Sequence, residues 1–145
     1  MKNAALACCL LLFAACYATP AADNDDVPRA VQEAFAQKYP GAENVRWSRD
    51  KNDYHEAHFT LDGEKYRADF EKSGKWIETE QNVKKKDLPK AVEKVIEDKY
   101  DKPKIYEVEL VDHHSKGVFY DVEIKHKGKK LDVMVRRDGQ IIGTD

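Results

Sequence analysis

The sequence Asp-Val-Pro-Arg-Ala-Val at residues 26–31 returns 61 positions later as Asp-Leu-Pro-Lys-Ala-Val at residues 87–92. After each copy, apolar residues recur three and four positions apart as far as Tyr39 or Tyr100. That spacing predicts an amphipathic helix, and a proline suits the first turn, where its missing N–H is not needed. The chain is therefore a duplicated unit in which each copy begins with a helix.

Alternating apolar and polar residues follow each helix and predict four strands in each copy. Asp62-Gly63 is a strong hairpin signal between the second and third of these strands. Gly63 and Gly74 recur at a constant offset of 65 as Gly128 and Gly139, so the turns are duplicated together with the helix. Residues 112–117 are predicted to form a loop. A period of two with one apolar side predicts a sheet with one face on a core and one face in water.

These patterns predict an α+β fold of tandem αββββ repeats, with one helix per repeat packed on an antiparallel four-stranded sheet. The first repeat is expected at residues 23–83 and the second at residues 84–145. A unit of about 60 residues has a core that is only marginally stable without disulfides. We therefore expect the repeats to pack together, with their sheets either adjoining or continuous.

Residues 1–22 are predicted to be a signal peptide and tether, since Lys2 precedes an apolar run too short to span a bilayer. Two processing routes fit the sequence. The segment at residues 13–16 resembles a bacterial lipobox that would lipidate Cys16, although Phe13 stands where leucine is usual. Alternatively, residues 16–18 offer a small-x-small cleavage site that would release a soluble product. Both routes place the protein in the bacterial envelope, either lipid-anchored or periplasmic.

Several function classes find no support in the composition. A net charge of −2 provides no basic field for nucleic acid, and membrane contact is expected only through a lipid at Cys16. All three cysteines lie in the first sixteen residues, so the folded part has no thiolate nucleophile or thiolate metal ligand. His55 and His58 lie three apart in a strand and therefore point to opposite faces. We expect no metal, no cofactor and no enzymatic activity.

The residues also carry a family resemblance. Val-Pro-x-Ala-Val at residues 27–31 precedes Phe35–Ala42, which reads Phe-x-x-Lys-Tyr-Pro-Gly-Ala, and then Val45–Trp47 and Gly74–Glu80. This order resembles the exported PepSY-like proteins, which are described as similar to β-lactamase inhibitor proteins. The resemblance implies helices on one face of an antiparallel sheet in a bacterial envelope protein without established enzymatic activity. It also implies that inhibitor-like relatives bind a protein over the open sheet face.

The outward face of the predicted sheet is the best candidate site, because aromatic side chains among charges are typical of protein interfaces. Strand alternation assigns to it the following residues: Arg46, Tyr54, Glu56, His58, Arg67, Trp76, Glu78, Phe119, Asp121, Met134 and Arg136. For Trp76 the inward face is the alternative, because Trp76 and Ile77 compete for the core position at the start of the fourth strand. One hypothesis is a protein- or peptide-binding, inhibitor-like module whose envelope partner is unknown. The alternative is a carrier or sensor of a small ligand or metal, which would need a concave pocket or converging histidines.

Overall fold

The computed structural model describes residues 26–145, so the predicted signal peptide and Cys16 lie outside the described residues. Each repeat is one helix followed by four strands. The first repeat contains α1 (Arg29–Lys38), β1 (Glu43–Arg49), β2 (His55–Leu61), β3 (Glu64–Phe70) and β4 (Trp76–Asn82). A short 3₁₀ helix (Lys85–Asp87) leads into the second repeat: α2 (Lys90–Lys99), β5 (Lys104–His113), β6 (Gly117–His126), β7 (Lys129–Val135) and β8 (Ile141–Thr144).

The eight strands form one antiparallel sheet in the order β1 to β8. The two repeats meet where β4 pairs with β5, from Glu78 opposite His113 to Asn82 opposite Glu109. The sheets are therefore continuous, which confirms the tandem αββββ architecture. The strands of the second repeat are longer than predicted, because β5 continues to His113 and β6 begins at Gly117, where residues 112–117 were expected to form a loop.

Both helices pack on the same face of this sheet. Phe35 of α1 lies edge-on to Trp47 and Phe59, with ring centroids 5.3 and 5.1 Å apart. Val92 and Ile96 of α2 are fully buried against the inward residues of β5 to β7. Burying a large apolar side chain contributes ~1.5–3 kcal/mol, so these two clusters supply most of the stabilisation. None of the helices within residues 26–145 has the length and apolar character needed to cross a membrane.

A polar contact also ties α1 to β4. The hydroxyl groups of Tyr39 and Thr79 share a hydrogen bond, and the indole N–H of Trp76 donates to Thr79 Oγ1 over 3.0 Å. Burial raises the pKa of Tyr39 to about 12, so the phenol keeps the proton that it can donate even well above physiological pH. Thr79 thus links the end of the first helix to the strand that joins the repeats.

Replacing Tyr39 with phenylalanine should therefore lower the free energy of unfolding by about 1 kcal/mol, the usual net contribution of one such hydrogen bond. Tyr100→Phe is the matched control, because Tyr100 ends α2 in the same way and its hydroxyl makes no hydrogen bond within the described residues. Urea unfolding followed by circular dichroism measures both. Equal losses in the two variants would contradict a stabilising role for the Thr79 contact.

Candidate functional site

The face of the sheet opposite the helices is here called the open face, since no helix within residues 26–145 covers it. Strand pairing identifies its members. Arg46 lies opposite His58, and His58 lies opposite Arg67. Asp121 lies opposite Met134 on the other half of the sheet. Eight of the predicted residues are on this face: Arg46, Glu56, His58, Arg67, Glu78, Phe119, Asp121 and Met134.

The other three predicted residues do not occupy open-face positions within a strand. Tyr54 precedes β2 and lines the rim of a cavity on the open face. Arg136 lies in the turn after β7, where its backbone N–H donates to the carbonyl of Gln140 over 2.8 Å. Trp76 lies on the helix side of the sheet, where Lys38 Nζ is 3.6 Å from its ring centroid. The prediction that Trp76 belongs to the outward face is therefore wrong.

A β-bulge explains the position of Trp76. Asp69 pairs with Glu78, but the next residue, Phe70, pairs with Trp76, so Ile77 is an extra residue on β4. A bulge breaks the period of two, which reverses the faces assigned to residues on one side of it. Ile77 is buried and lines the cavity on the open face.

The cavity, here called the acidic pocket, has a volume of about 680 Å³ and spans both repeats. Its described lining includes three basic side chains, Lys51, Arg67 and Lys116. The same lining includes eight acidic side chains: Asp50, Glu56, Asp69, Glu78, Glu80, Asp121, Asp132 and Asp145. This excess of carboxylates gives the pocket a negative potential, which favours cationic ligands.

Arg67 is the central cation of the open face. Its Nε donates to Glu80 Oε2 over 2.8 Å, and its Nη2 donates to Glu109 Oε1 over 2.5 Å. Burial alone would lower the pKa of Arg67, but Glu80, Glu109 and Glu56 together raise it above its ordinary value. Arg67 is thus permanently charged and joins β3, β4 and β5 across the boundary between the repeats. It is already paired, so it does not neutralise the rest of the pocket.

Other carboxyl groups in the pocket have no such partner. Asp69 is 6 % exposed, and its Oδ1 has no hydrogen-bond partner within the described chain. Burial, reinforced by Glu56 and Glu80, raises the pKa of Asp69 to about 8. Burial likewise raises the pKa of Glu78 to about 7 and that of Asp121 to about 6. Burial is the main cause at all three groups, and Lys116 opposes it only in part at Glu78 and Asp121. Asp69 therefore keeps its proton at neutral pH.

An apolar patch adjoins the carboxylates. Val111, Phe119 and Met134 form a small buried cluster on the open face, and Ile142 packs against it. Lys116 extends over this patch from the β5–β6 loop, with its Nζ 5.7 Å from the Phe119 ring centroid and 3.5 Å from Met134 Sδ. The pocket therefore combines an apolar floor with carboxylates, and its floor already holds the side chain of a lysine.

The histidines are dispersed. His55 is buried on the helix side, whereas His58 lies on the open face with Nε2 2.6 Å from Glu56 Oε1. The rings of His113 and His114 stack at the pocket rim with centroids 4.7 Å apart. Within residues 26–145, no three histidine or acidic side chains converge as a metal site requires.

The sequence did not identify every part of this site. Nothing in the sequence indicated that the side chain of Asp69 is buried. Glu109 was missed because its contact with Arg67, 42 residues away, depends on how β4 pairs with β5. Alternation within β5 is the only sequence signal for Glu109, and the irregular pairing between Ile105 and Glu107 weakens it.

Several solved structures resemble this fold. A DUF2874 family protein from Bacteroides uniformis is 24% identical with a TM-score of 0.69, and the match covers 81% of this chain and 88% of that one. A BLIP-like protein from Bacteroides fragilis is 23% identical with a TM-score of 0.68, covering 81% and 85%. A protein from Bacteroides eggerthii described as periplasmic is 20% identical with a TM-score of 0.68, covering 82% and 88%.

At these identities the structures establish the fold alone. No protein with a curated description matches the chain. The sequence profile of a family described as "Putative beta-lactamase-inhibitor-like, PepSY-like" matches residues 17–60 and 53–143, so its two matches together span most of the chain. The protein therefore belongs to the PepSY-like family.

Proposed function

We propose that this protein is a non-catalytic binding module of the bacterial envelope that holds a protein or peptide on its open face. The acidic pocket is the observation that carries the proposal, because it places partly buried carboxyl groups, two of them with an unpaired oxygen, on a surface that no helix in residues 26–145 covers. Such groups cost free energy in the free protein and gain it when a partner supplies complementary groups.

Membership of the family supports an inhibitor-like role rather than an enzymatic one. Its description names β-lactamase inhibitors, and one similar structure is described as BLIP-like. Placement in the envelope is part of the proposal. It is supported by the predicted signal peptide at residues 1–22 and by a similar structure described as periplasmic. Intact-mass measurement of the N-terminus would distinguish lipidation at Cys16 from soluble release.

Affinity capture from an envelope extract tests the proposal. The tagged protein should retain a partner that the double variant Tyr54→Ala/His58→Ala loses, because Tyr54 lines the acidic pocket and His58 lies on the open face. Lys94→Ala/Glu97→Ala is the matched control, since both of its residues are exposed on α2. Circular dichroism would first show that all three proteins are folded. Equal recovery of the partner with the open-face variant would overturn the proposal.

A further inference from the structure

The carboxylates of the acidic pocket are spread out rather than gathered at one point. Glu56 belongs to β2, Asp69 to β3, Glu78 to β4, Asp121 to β6 and Asp132 to β7. Neighbouring strands lie about 4.8 Å apart, so the carboxylates extend over roughly 24 Å. That length suits several cationic groups held apart on one chain better than a single ion.

Two of these carboxylates need a donor that the described part of the protein does not supply. The Oδ1 atoms of Asp69 and Asp121 are buried in the pocket without hydrogen-bond partners. A buried acceptor left in this state costs roughly 1–3 kcal/mol. A ligand that carries N–H donors and positive charge would supply hydrogen bonds to these oxygen atoms and would also complement the negative potential of the pocket.

The floor of the pocket narrows the class of ligand further. Lysine and arginine have apolar stems and charged heads, and they lie along apolar surface while the head reaches a polar group. Phe119 and Met134 provide that apolar surface next to Asp121 and Glu78. Lys116 of the protein itself already places its ammonium group over this surface, with Nζ 5.7 Å from the Phe119 ring centroid. Since Lys116 is an exposed residue, its side chain can give way to an incoming one.

We infer that the acidic pocket binds lysine and arginine side chains of an extended basic segment of the partner protein. The inference rests on the proposed function, since it names the chemistry of the partner that the open face would hold. Alternate residues of an extended chain point to the same side, so basic residues two apart would enter the pocket together.

A defined peptide tests this inference. The probe is acetyl-Gly-Lys-Gly-Arg-Gly-Lys-Gly-amide, and its control has glutamine at the three basic positions. Amide chemical shifts of ¹⁵N-labelled protein, recorded at pH 8 and ~0.15 M salt to screen distant charges, report the binding site and the affinity. The basic peptide should saturate shifts centred on β4 and β6, and the glutamine peptide should not. The double variant Glu78→Gln/Asp121→Asn should weaken binding about tenfold, which corresponds to about 1.4 kcal/mol.

Glu64→Gln/Glu97→Gln is the matched control, because it removes the same charge at exposed positions outside the pocket. It should leave the affinity within about twofold, since long-range attraction contributes little to a contact-specific site. If both double variants bound the basic peptide equally weakly, the loss of affinity would come from net charge alone, and the inference would be overturned. Equal binding of the two peptides, or shifts centred away from the pocket, would also overturn it.

Lys116→Gln provides an independent arm. Removing the resident cation frees the Phe119 surface and makes the pocket more negative, so the basic peptide should bind several-fold more tightly.

Calcium chloride and spermidine are titrated in parallel. Tighter binding of either at the same amides would assign the pocket to a small cation and overturn the inference. The two proposals can fail separately. If Tyr54→Ala/His58→Ala loses a captured partner but the basic peptide does not bind, the proposed function is supported and the inference of a basic segment is overturned.

Discussion

Replacing Gly74 with alanine should lower the free energy of unfolding by about 3 kcal/mol, from steric overlap and backbone strain together. The turn after β3 brings Gly74 against α1, and a Cβ at this position would lie 2.6 Å from the carbonyl oxygen of Ala30. That oxygen belongs to the backbone of a helix, so it cannot move without displacing α1 from the sheet. Gly74 also has a φ of +88°, which disfavours any side chain.

Gly63→Ala separates these two causes. Gly63 has a similar φ of +82°, but apart from its two chain neighbours no described residue has an atom within 4 Å of its Cβ position. This control should therefore cost only about 1 kcal/mol, the cost of the backbone conformation. Urea unfolding measures both variants. If Gly74→Ala lost no more stability than Gly63→Ala, the close approach of turn and helix would not matter for folding.

The duplicated sequence made the fold predictable and left its closest contacts hidden. Periodic apolar residues after Pro28 and Pro89 predicted both helices, and Asp62-Gly63 predicted a hairpin. The constant offset between Gly74 and Gly139 showed that the turns are duplicated. The contact that each turn makes was not visible, because Gly139 approaches Ala91 just as Gly74 approaches Ala30. Local patterns determine elements, whereas such contacts depend on how a helix is positioned on its sheet.

The same distinction applies to the candidate site. Alternation along regular strands placed Glu56, Arg67 and Asp121 on the open face. It failed at Trp76, because a single bulged residue exchanges the faces and leaves no clear mark in the sequence. The burial of Asp69 was also beyond prediction, since it depends on side chains from neighbouring strands. The pocket and its uncompensated charge therefore emerge only when eight strands are assembled.

Replacing Asp69 with asparagine should stabilise the protein above neutral pH. Burial raises the pKa of Asp69 from 3.8 to about 8, and Glu56, Glu80, Asp50 and Glu78 reinforce the shift. The folded protein therefore keeps a proton that the unfolded chain releases near its ordinary pKa. The contribution of this proton to the free energy of unfolding is fully present below about pH 4 and is lost as pH rises towards 8. Asparagine is neutral throughout and its amide can donate to the neighbouring carboxylates, so it avoids this loss.

The difference between the two proteins should therefore grow with pH. We expect Asp69→Asn to match the wild type near pH 4 and to exceed it by ~2–4 kcal/mol at pH 9, since one pKa unit corresponds to about 1.4 kcal/mol. Urea unfolding at pH 4, 6, 8 and 9 measures this. Glu78 and Asp121 also have raised pKa values, so the free energy of unfolding of both proteins depends on pH through them. The difference in free energy between the two proteins is therefore the quantity that reports on Asp69. Asp62→Asn, at an exposed hairpin turn, should follow the wild type. A constant difference across this range would show that Asp69 is already ionised in the folded protein, and the acidic pocket would then be hydrated rather than uncompensated.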